Sequence, residues 1–381
     1  MRVALIGTRG VPARYGGFET AVEEIGAGLS ELGHEVTVYC RSESDAGEFY
    51  RGMRRVTLPA VRRKALETIT HSALSTLHAL RHRPDVAIVF NAANAPFLAI
   101  LRLAGVCTAL HVDGHDARRR KWNGLGQRYY SLATRIGLKL AHEVIVDSAA
   151  IQQEFTATYG VSPCCIAYGA STTIDSPAVA QKVLDQLGYQ VGGFHLVAAR
   201  FEPENQVLEI IQSYLASDAQ LPLLVVGFAG FPAEYDARIH TAAAGDARVR
   251  LLGPVWDQHL LDALYAGAAS YLHGHSVGGT NPGLLRAMVN GAPILAFDCA
   301  YNRETTDDHA LWFDRAERAG ELMVKIELDS SLADELSKAA LKRASHYLWM
   351  DVVSDYDKLL QRQRELYGMP PSGRIRRGSP R

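Results

Sequence analysis

The run RVALIGTRGVPARYGGFETAVEEIGAGLSELGHEVTVY, residues 2–39, contains a complete strand–helix–strand unit. Arg2–Gly7 is a short apolar run of the length of a buried strand. Phe18, Val22, Ile25, Leu29 and Leu32 then fall at the 3.6-residue spacing of an amphipathic helix, and Gly33 stops it. Val36–Tyr39 supplies the next strand. A strand, a glycine-rich loop, a helix and a second strand form the repeating unit of a parallel, doubly wound sheet.

The alternation continues outward from this unit. Further strands are read at Val86–Phe90, Cys107–Val112 and Glu143–Val146. A second series then begins. It has strands at Phe194–Ala199, Leu221–Gly227, Val249–Leu252, Ala269–Leu272 and Pro293–Ala296, and helices at Val207–Leu215, Leu260–Ala268 and Pro282–Val289. The Ser/Thr/Pro-bearing stretch Ala170–Ala178 separates the two series. The expected organisation is therefore α/β, with a Rossmann-like domain over 1–175 and another over 176–350. An acidic helix, Ser330–Tyr347, ends the second, and a last helix runs over Asp351–Tyr367 within a crossover segment, 351–368. The Pro/Gly/Arg-rich tail 369–381 has no apolar period and is expected to be disordered.

Composition limits the function classes. With 381 residues, two domains are the natural expectation, and 48% hydrophobic with 21% charged residues is ordinary for a soluble enzyme. A formal net charge of −1 gives no global reason to expect nucleic acid as a partner. Residues 41–140 nevertheless hold 17 Lys+Arg against 7 Asp+Glu. This excess, which includes Arg54, Arg55, Arg62, Arg63 and Lys64, fits an anionic membrane or ligand near the first domain; a solvated basic face is the alternative. Cys40, Cys107, Cys164, Cys165 and Cys299 show no CxxC or Cys/His ligand spacing and read as reduced thiols. No apolar window reaches membrane-spanning length. The expected location is cytoplasmic, with peripheral attachment to the inner membrane face.

Four stretches carry candidate chemistry. The first is GTRGVPARYGGFE, Gly7–Glu19, which lacks the GxGxxG of a dinucleotide fold but ends in Gly16-Gly17 at a helix start. Glycines there let a ligand approach the backbone, and free amides favour an anion. Arg14 and Tyr15 lie beside them, and a plain Rossmann turn is the alternative. The second is HGHSVGGTNPGLLRAM, His273–Met288, where Asn281 suits an N-cap and Pro282 the first helical position. Gly278, Gly279 and Thr280 precede that cap, where phosphates bind in parallel sheets; a purely structural turn is the alternative. The third is Arg200 in ARFEPENQ, Ala199–Gln206, a guanidinium at a strand end that can grip phosphate or simply face solvent. The fourth is HVDGHDARRRKW, His111–Trp122, with Asp113, Asp116 and Arg119 as an acceptor-side set or a solvated basic loop.

Taken together, GTRGVPARYGGFET, DGHDARRRKW, RFEPEN, YGA (Tyr168–Ala170) and HGHSVGGTNP resemble the retaining glycosyltransferases of family four. The similarity runs from Arg2 to about Tyr367 and is strongest to the bacterial branch that includes rhamnosyltransferases of surface-polysaccharide assembly. The resemblance implies a GT-B fold: two Rossmann-like domains facing across a cleft, with a C-terminal helix carrying Trp349 and Tyr356 that crosses back to the first domain. It also implies a nucleotide-diphosphate-sugar donor held by the C-terminal domain, no cofactor and no metal ion. By position, Arg200 would bind the diphosphate and Gly16-Gly17 would approach it from the other domain. Val255 would lie near the base, and Gly278, Gly279, Thr280 and Asn281 would present amides to sugar and phosphates. The chain departs from the family in three places: Ser276 and Arg286 stand where two glutamates are usual, and Asn205 replaces a lysine. Arg286 is expected on the nucleotide side of the donor, where its charge compensates for Asn205.

The implied reaction moves a hexosyl or deoxyhexosyl group, rhamnosyl among them, from the donor to a saccharide or lipid-linked saccharide with retention. Arg200, Asp113 and the Gly278–Thr280 amides would carry it by positioning and charge stabilisation. A nucleotide-sugar 2-epimerase of the same architecture and a catalytically silent donor-binding subunit are the competing readings.

Overall fold

The computed structural model describes residues 1–13, 16–41, 47–61, 64–112, 124–228 and 233–367. They divide into two compact units. Unit 1 takes the described residues within 1–112, 129–145 and 353–367, and unit 2 those within 124–128 and 146–352.

Unit 1 is built on strands β1 (Arg2–Ile6), β2 (Glu35–Cys40), β3 (Phe49–Tyr50), β4 (Met53–Thr57), β5 (Val86–Phe90), β6 (Cys107–His111) and β7 (Glu143–Val146), in the order β3-β4-β2-β1-β5-β6-β7. All pairings are parallel except β3 with β4. Leu5 sits opposite Val38 on one side and Ile88 on the other. The central strands VALI and VAIVF are fully buried, as expected of a parallel sheet covered on both faces. The helix Gly17–Glu31 covers one face through Ala21, Val22, Ile25 and Leu29.

The last helix, Trp349–Leu366, packs within unit 1 from Val353 onward. Asp357 accepts from His34 Nε2 at 2.9 Å, and Cys107 Sγ lies 3.2 Å from Gln363 Oε1. Its closest seat is Gly28, where a Cβ would meet Val353 Cγ2 at 2.4 Å.

One expectation is corrected here. Arg55 does not face an anionic surface: it is buried, with Nε donating to Val11 O at 2.9 Å and Nη1 to Gly47 O at 2.6 Å. It holds the loop after β1 by capping carbonyls that burial would otherwise leave unpaired. Arg54 is paired with Glu48 at 3.2 Å, while Arg62 and Arg63 lie outside the described residues. Contact density divides the units at 145/146, within β7, whereas the sequence places the domain boundary near 170–190. Residues 146–175 are tied into unit 2: Ala149 N and Ala150 N donate to Glu304 at 2.6 and 2.8 Å, and Thr173 N donates to Asp262 at 2.9 Å. The Ser/Thr-rich stretch is thus a packed segment of unit 2.

In unit 2, β8 (Cys164–Cys165) precedes a six-stranded sheet of β9 (His195–Ala198), β10 (Leu223–Val226), β11 (Val249–Gly253), β12 (Ser270–His273), β13 (Ile294–Phe297) and β14 (Leu311–Phe313). Their order is β11-β10-β9-β12-β13-β14, with every pairing parallel. From β9 the chain first winds outward to β11 and then returns to place β12 on the other side. The topological switch point is therefore between β9 and β12, the position at which such sheets bind ligands beyond their strand C-termini. The helices Val207–Leu215 and Pro282–Val289 start behind these two strands, with the bounds expected from sequence. The helix from Ser330 stops at Ala344, short of Tyr347, whose carbonyl accepts from Ala170 N at 2.8 Å.

Gly28→Ala tests the seat of the last helix. Alanine favours a helix interior by about 1 kcal/mol over glycine, but overpacking a core costs about 1–3 kcal/mol. The contact is with a branch of Val353 and not with the end of a flexible chain, so a net loss of thermal stability is expected. Adding Val353→Ala should return part of it. Equal melting temperatures for the parent and Gly28→Ala would contradict the packing.

Candidate functional site

Two loops meet at the switch point of unit 2. The loop after β12 runs from Gly274 to Asn281 and enters the helix Pro282–Val289. Asn281 caps that helix, its side chain accepting from Gly283 N at 2.9 Å, with Pro282 in the first turn. Thr280 is buried and its Oγ1 donates to Asp147 O. A Cβ at Gly279 would lie 1.8 Å from Asp147 Oδ1, so a side chain there would require Asp147 to shift. Gly278 has φ 135°, a region that favours glycine.

The loop after β9 spans Arg200–Gln206. Asn205 Nδ2 donates to Arg200 O at 2.9 Å, and Gln206 takes a left-handed φ of 54°. The two loops are joined directly. Ser276 N and Ser276 Oγ both donate to Glu204 O at 3.0 Å, and Gln206 Nε2 donates back to Gly274 O at 2.8 Å. Gly274 is pressed against the other loop, since a Cβ there would meet Asn205 O at 2.4 Å. A cavity of about 440 Å³ lies at this junction, lined by Pro203, Glu204, Gln206, Glu209, Ser276 and Val277. Arg200, at the start of the loop after β9, has a partly exposed guanidinium held by Glu202 Oε1 at 3.2 Å. Ser276 and Asn205 therefore act as ties between and within the loops.

Val255 follows Gly253 (φ 69°) and Pro254 at the end of β11 and is half-buried. Beside it, exposed Trp256 packs on Phe228, with ring centroids 5.6 Å apart at 48°. This aromatic pair was missed in the sequence. Its signal was available, however, since both rings follow a glycine at the end of a strand. His273 is fully buried, and burial pushes its imidazole down to about 3, so it is neutral at ordinary pH. It stacks on His275 at 4.3 Å and bonds to Tyr271 Oη at 3.1 Å.

Arg286, expected on the nucleotide side of the donor, is paired within the protein. Its Nε donates to Asp262 Oδ1 at 2.5 Å, Nη1 to Gln258 Oε1 at 2.5 Å and Nη2 to Gln258 O at 2.9 Å. Asp262 is 1% exposed and also accepts from Thr173 and Asn290. The side chain does lean back toward its helix N-terminus, but it meets the neighbouring helix Gln258–Gly267, whose buried acid takes its charge. Arg286 is thus the counter-ion of buried Asp262.

In unit 1 the loop after β1 is also built by close approach. Gly7 (φ 107°) would place a Cβ 2.3 Å from Phe90 O. Glu19 accepts from Arg9 N at 3.1 Å and Glu23 from Ala13 N at 2.5 Å, so the following helix ties its own entry loop. Gly16 caps that helix in extended backbone, and Gly17 begins it. A Cβ at Gly16 would meet only Glu19 Oε2, at 3.4 Å, so nothing among the described residues demands glycine there. Arg14, Tyr15, Asp113, Asp116 and Arg119 lie outside the described residues. Among the described residues no cluster of three or more His, Cys, Asp or Glu could hold a metal ion, and no helix is long and apolar enough to cross a membrane.

Comparison with known proteins bears on the fold. Residues 16–168 match the family model of the glycosyl transferase 4-like domain. No curated protein sequence matches the chain. Among solved structures, sucrose-phosphate synthase from Thermosynechococcus elongatus superposes with a TM-score of 0.80 at 18% identity, over 96% of this chain and 99% of that one. Anabaena HepE in complex with UDP-glucose gives 0.78 at 16% identity, over 94% and 99%. WaaG, a glycosyltransferase involved in lipopolysaccharide biosynthesis, gives 0.75 at 16% identity, also over 94% and 99%. At these identities the likeness defines the fold, and that fold is GT-B.

Arg286→Ala should leave Asp262 buried without its cation. Breaking a buried pair on one side costs about 3–5 kcal/mol, so unfolding should shift to markedly lower denaturant. Pairing Arg286→Met with Asp262→Asn should recover much of the loss. Unchanged stability of the single variant would return Arg286 to a ligand-facing role.

Proposed function

We propose that the chain is a glycosyltransferase that moves a hexosyl or deoxyhexosyl group from a nucleotide-diphosphate sugar to a saccharide or lipid-linked saccharide acceptor, with retention and without a metal ion. The observation that carries this reading is the junction of the β9 and β12 loops. It combines a partly exposed arginine, Arg200, with glycine backbone at Gly278-Gly279 and an Asn-Pro helix start, all at one switch point. A guanidinium and helix-terminal amides recognise phosphate oxygens. The Phe228–Trp256 pair beside Val255 offers a stacking surface of the kind a nucleoside base uses. The match to the glycosyl transferase 4-like domain and the UDP-glucose complex of a fold neighbour support the same donor class.

In this reading the donor's bond between sugar C1 and diphosphate oxygen breaks as an acceptor hydroxyl bonds C1 from the same face. The departing phosphate takes the hydroxyl proton. The charge gathering on the diphosphate is met by Arg200 and the amides of Gly278, Gly279, Thr280 and the Asn281–Pro282 helix start, with Asn205 fixing the Arg200 backbone. Gly16 and Gly17, at a helix start in unit 1, would let the acceptor or donor approach the backbone. Asp113, Arg14, Tyr15, Asp116 and Arg119 complete the proposed set on the acceptor side. Rhamnosyl transfer is the finer form of the proposal, tested by a panel of dTDP-, UDP- and GDP-sugars. Because the arginine at 286 is explained by Asp262, it is no argument for a silent subunit.

Arg200→Ala should weaken donor binding and turnover by about 2 kcal/mol, roughly thirtyfold, the scale of lost charge-assisted hydrogen bonds. Arg200→Lys should recover only part, since lysine lacks the planar fork. Titration with UDP and steady-state transfer rates measure both. Unchanged constants in Arg200→Ala would remove the assignment.

A further inference from the structure

The Arg200–Gln206 loop holds two acids, Glu202 and Glu204, that are 5% and 6% exposed. Glu202 Oε1 is met by Arg200 Nη1 at 3.2 Å. Glu202 Oε2 and both carboxylate oxygens of Glu204 are buried with no hydrogen-bond partner in the protein. An uncompensated buried carboxylate is costly, and native interiors rarely keep one without a reason. Glu204 also lines the 440 Å³ cavity at the switch point. The other polar side chains along that wall are occupied. Ser276 Oγ bonds to Glu204 O, Gln206 Nε2 to Gly274 O, and Glu209 accepts from Tyr235 Oη at 2.7 Å.

What such a group binds follows from its chemistry. A carboxylate accepts hydrogen bonds and repels phosphate, so Glu204 is unsuited to the diphosphate that Arg200 would hold. On a nucleotide sugar the donors in quantity are hydroxyls, and two adjacent hydroxyls match the two oxygens of one carboxylate. We infer that Glu204 is the residue that recognises a vicinal diol of the donor. This rests on the donor-site reading above and divides that site: phosphates against Arg200 and the helix start, hydroxyls against Glu204. The backbone of Glu204 is fixed by Ser276, so the carboxylate is held by the same loop that would present amides to the phosphates.

The test compares the parent with Glu204→Gln by calorimetric titration against UDP and UDP-glucose, with melting temperatures of the unliganded proteins as a second readout. Glutamine keeps the volume but gives up one acceptor oxygen and the charge. Affinity should fall about tenfold, the worth of one charge-assisted hydrogen bond. A loss confined to UDP-glucose assigns the diol to the transferred sugar, and an equal loss for UDP assigns it to the ribose. The unliganded variant should melt no lower than the parent, because a buried charge without a partner has been removed. Glu204→Asp, which shortens the reach but keeps the charge, should also lose affinity. Parent-like affinity in Glu204→Gln, or a lowered melting temperature with affinity intact, overturns the inference. If the parent itself bound no nucleotide sugar in a wider panel, the donor-site reading would fall first.

Discussion

The organisation of unit 2 turns on one carbonyl. Glu204 O receives both the amide and the hydroxyl of Ser276, and Gln206 returns a bond to Gly274 O. These three bonds join loops that leave two neighbouring parallel strands and would otherwise splay apart at the switch point. With them closed, the end of β9 and the entry to the helix Pro282–Val289 become one surface. Arg200 and the Asn281 cap are held on it at the same time. A site that stabilises charge works through such prior placement, because its groups need not reorganise as charge develops.

The clamp depends on backbone coming close to backbone, which explains the glycines. Gly274 lies against Asn205 O, and Gly227 would place a Cβ 2.0 Å from Ala199 O. Each contact replaces a side chain with main chain at the C-terminal end of the sheet, leaving room beside it. Unit 1 repeats the device with Gly7 against Phe90 O. Gly16 differs, since the protein itself places little against it.

Much of this was legible in the sequence. Apolar runs gave the parallel strands because both sheet faces are covered, so burial and sequence pattern coincide. The Asn281–Pro282 pair located a helix start because capping is a local interaction between a side chain and the next few amides. The parts that were not legible depend on partners distant in sequence. Arg286 reads as an anion-binding residue until Asp262, on another helix, is seen to take its charge. Arg55 reads as surface charge until the Val11 and Gly47 carbonyls enclose it. The place where the units divide was hidden in the same way, because Thr172 and Thr173 look like linker residues while bonding to Asn290 and Asp262. Glu204 gave no signal, since its burial without a partner is a property of the folded loop alone.

The central claim is that the joined β9 and β12 loops are the donor site, and hydrogen–deuterium exchange with and without UDP-glucose tests it most directly. The account predicts slowed exchange concentrated in peptides covering 200–206 and 274–284, with the outer strand β14 unchanged. Binding that leaves both stretches exchanging at the free rate, while protecting others in unit 2, would contradict it.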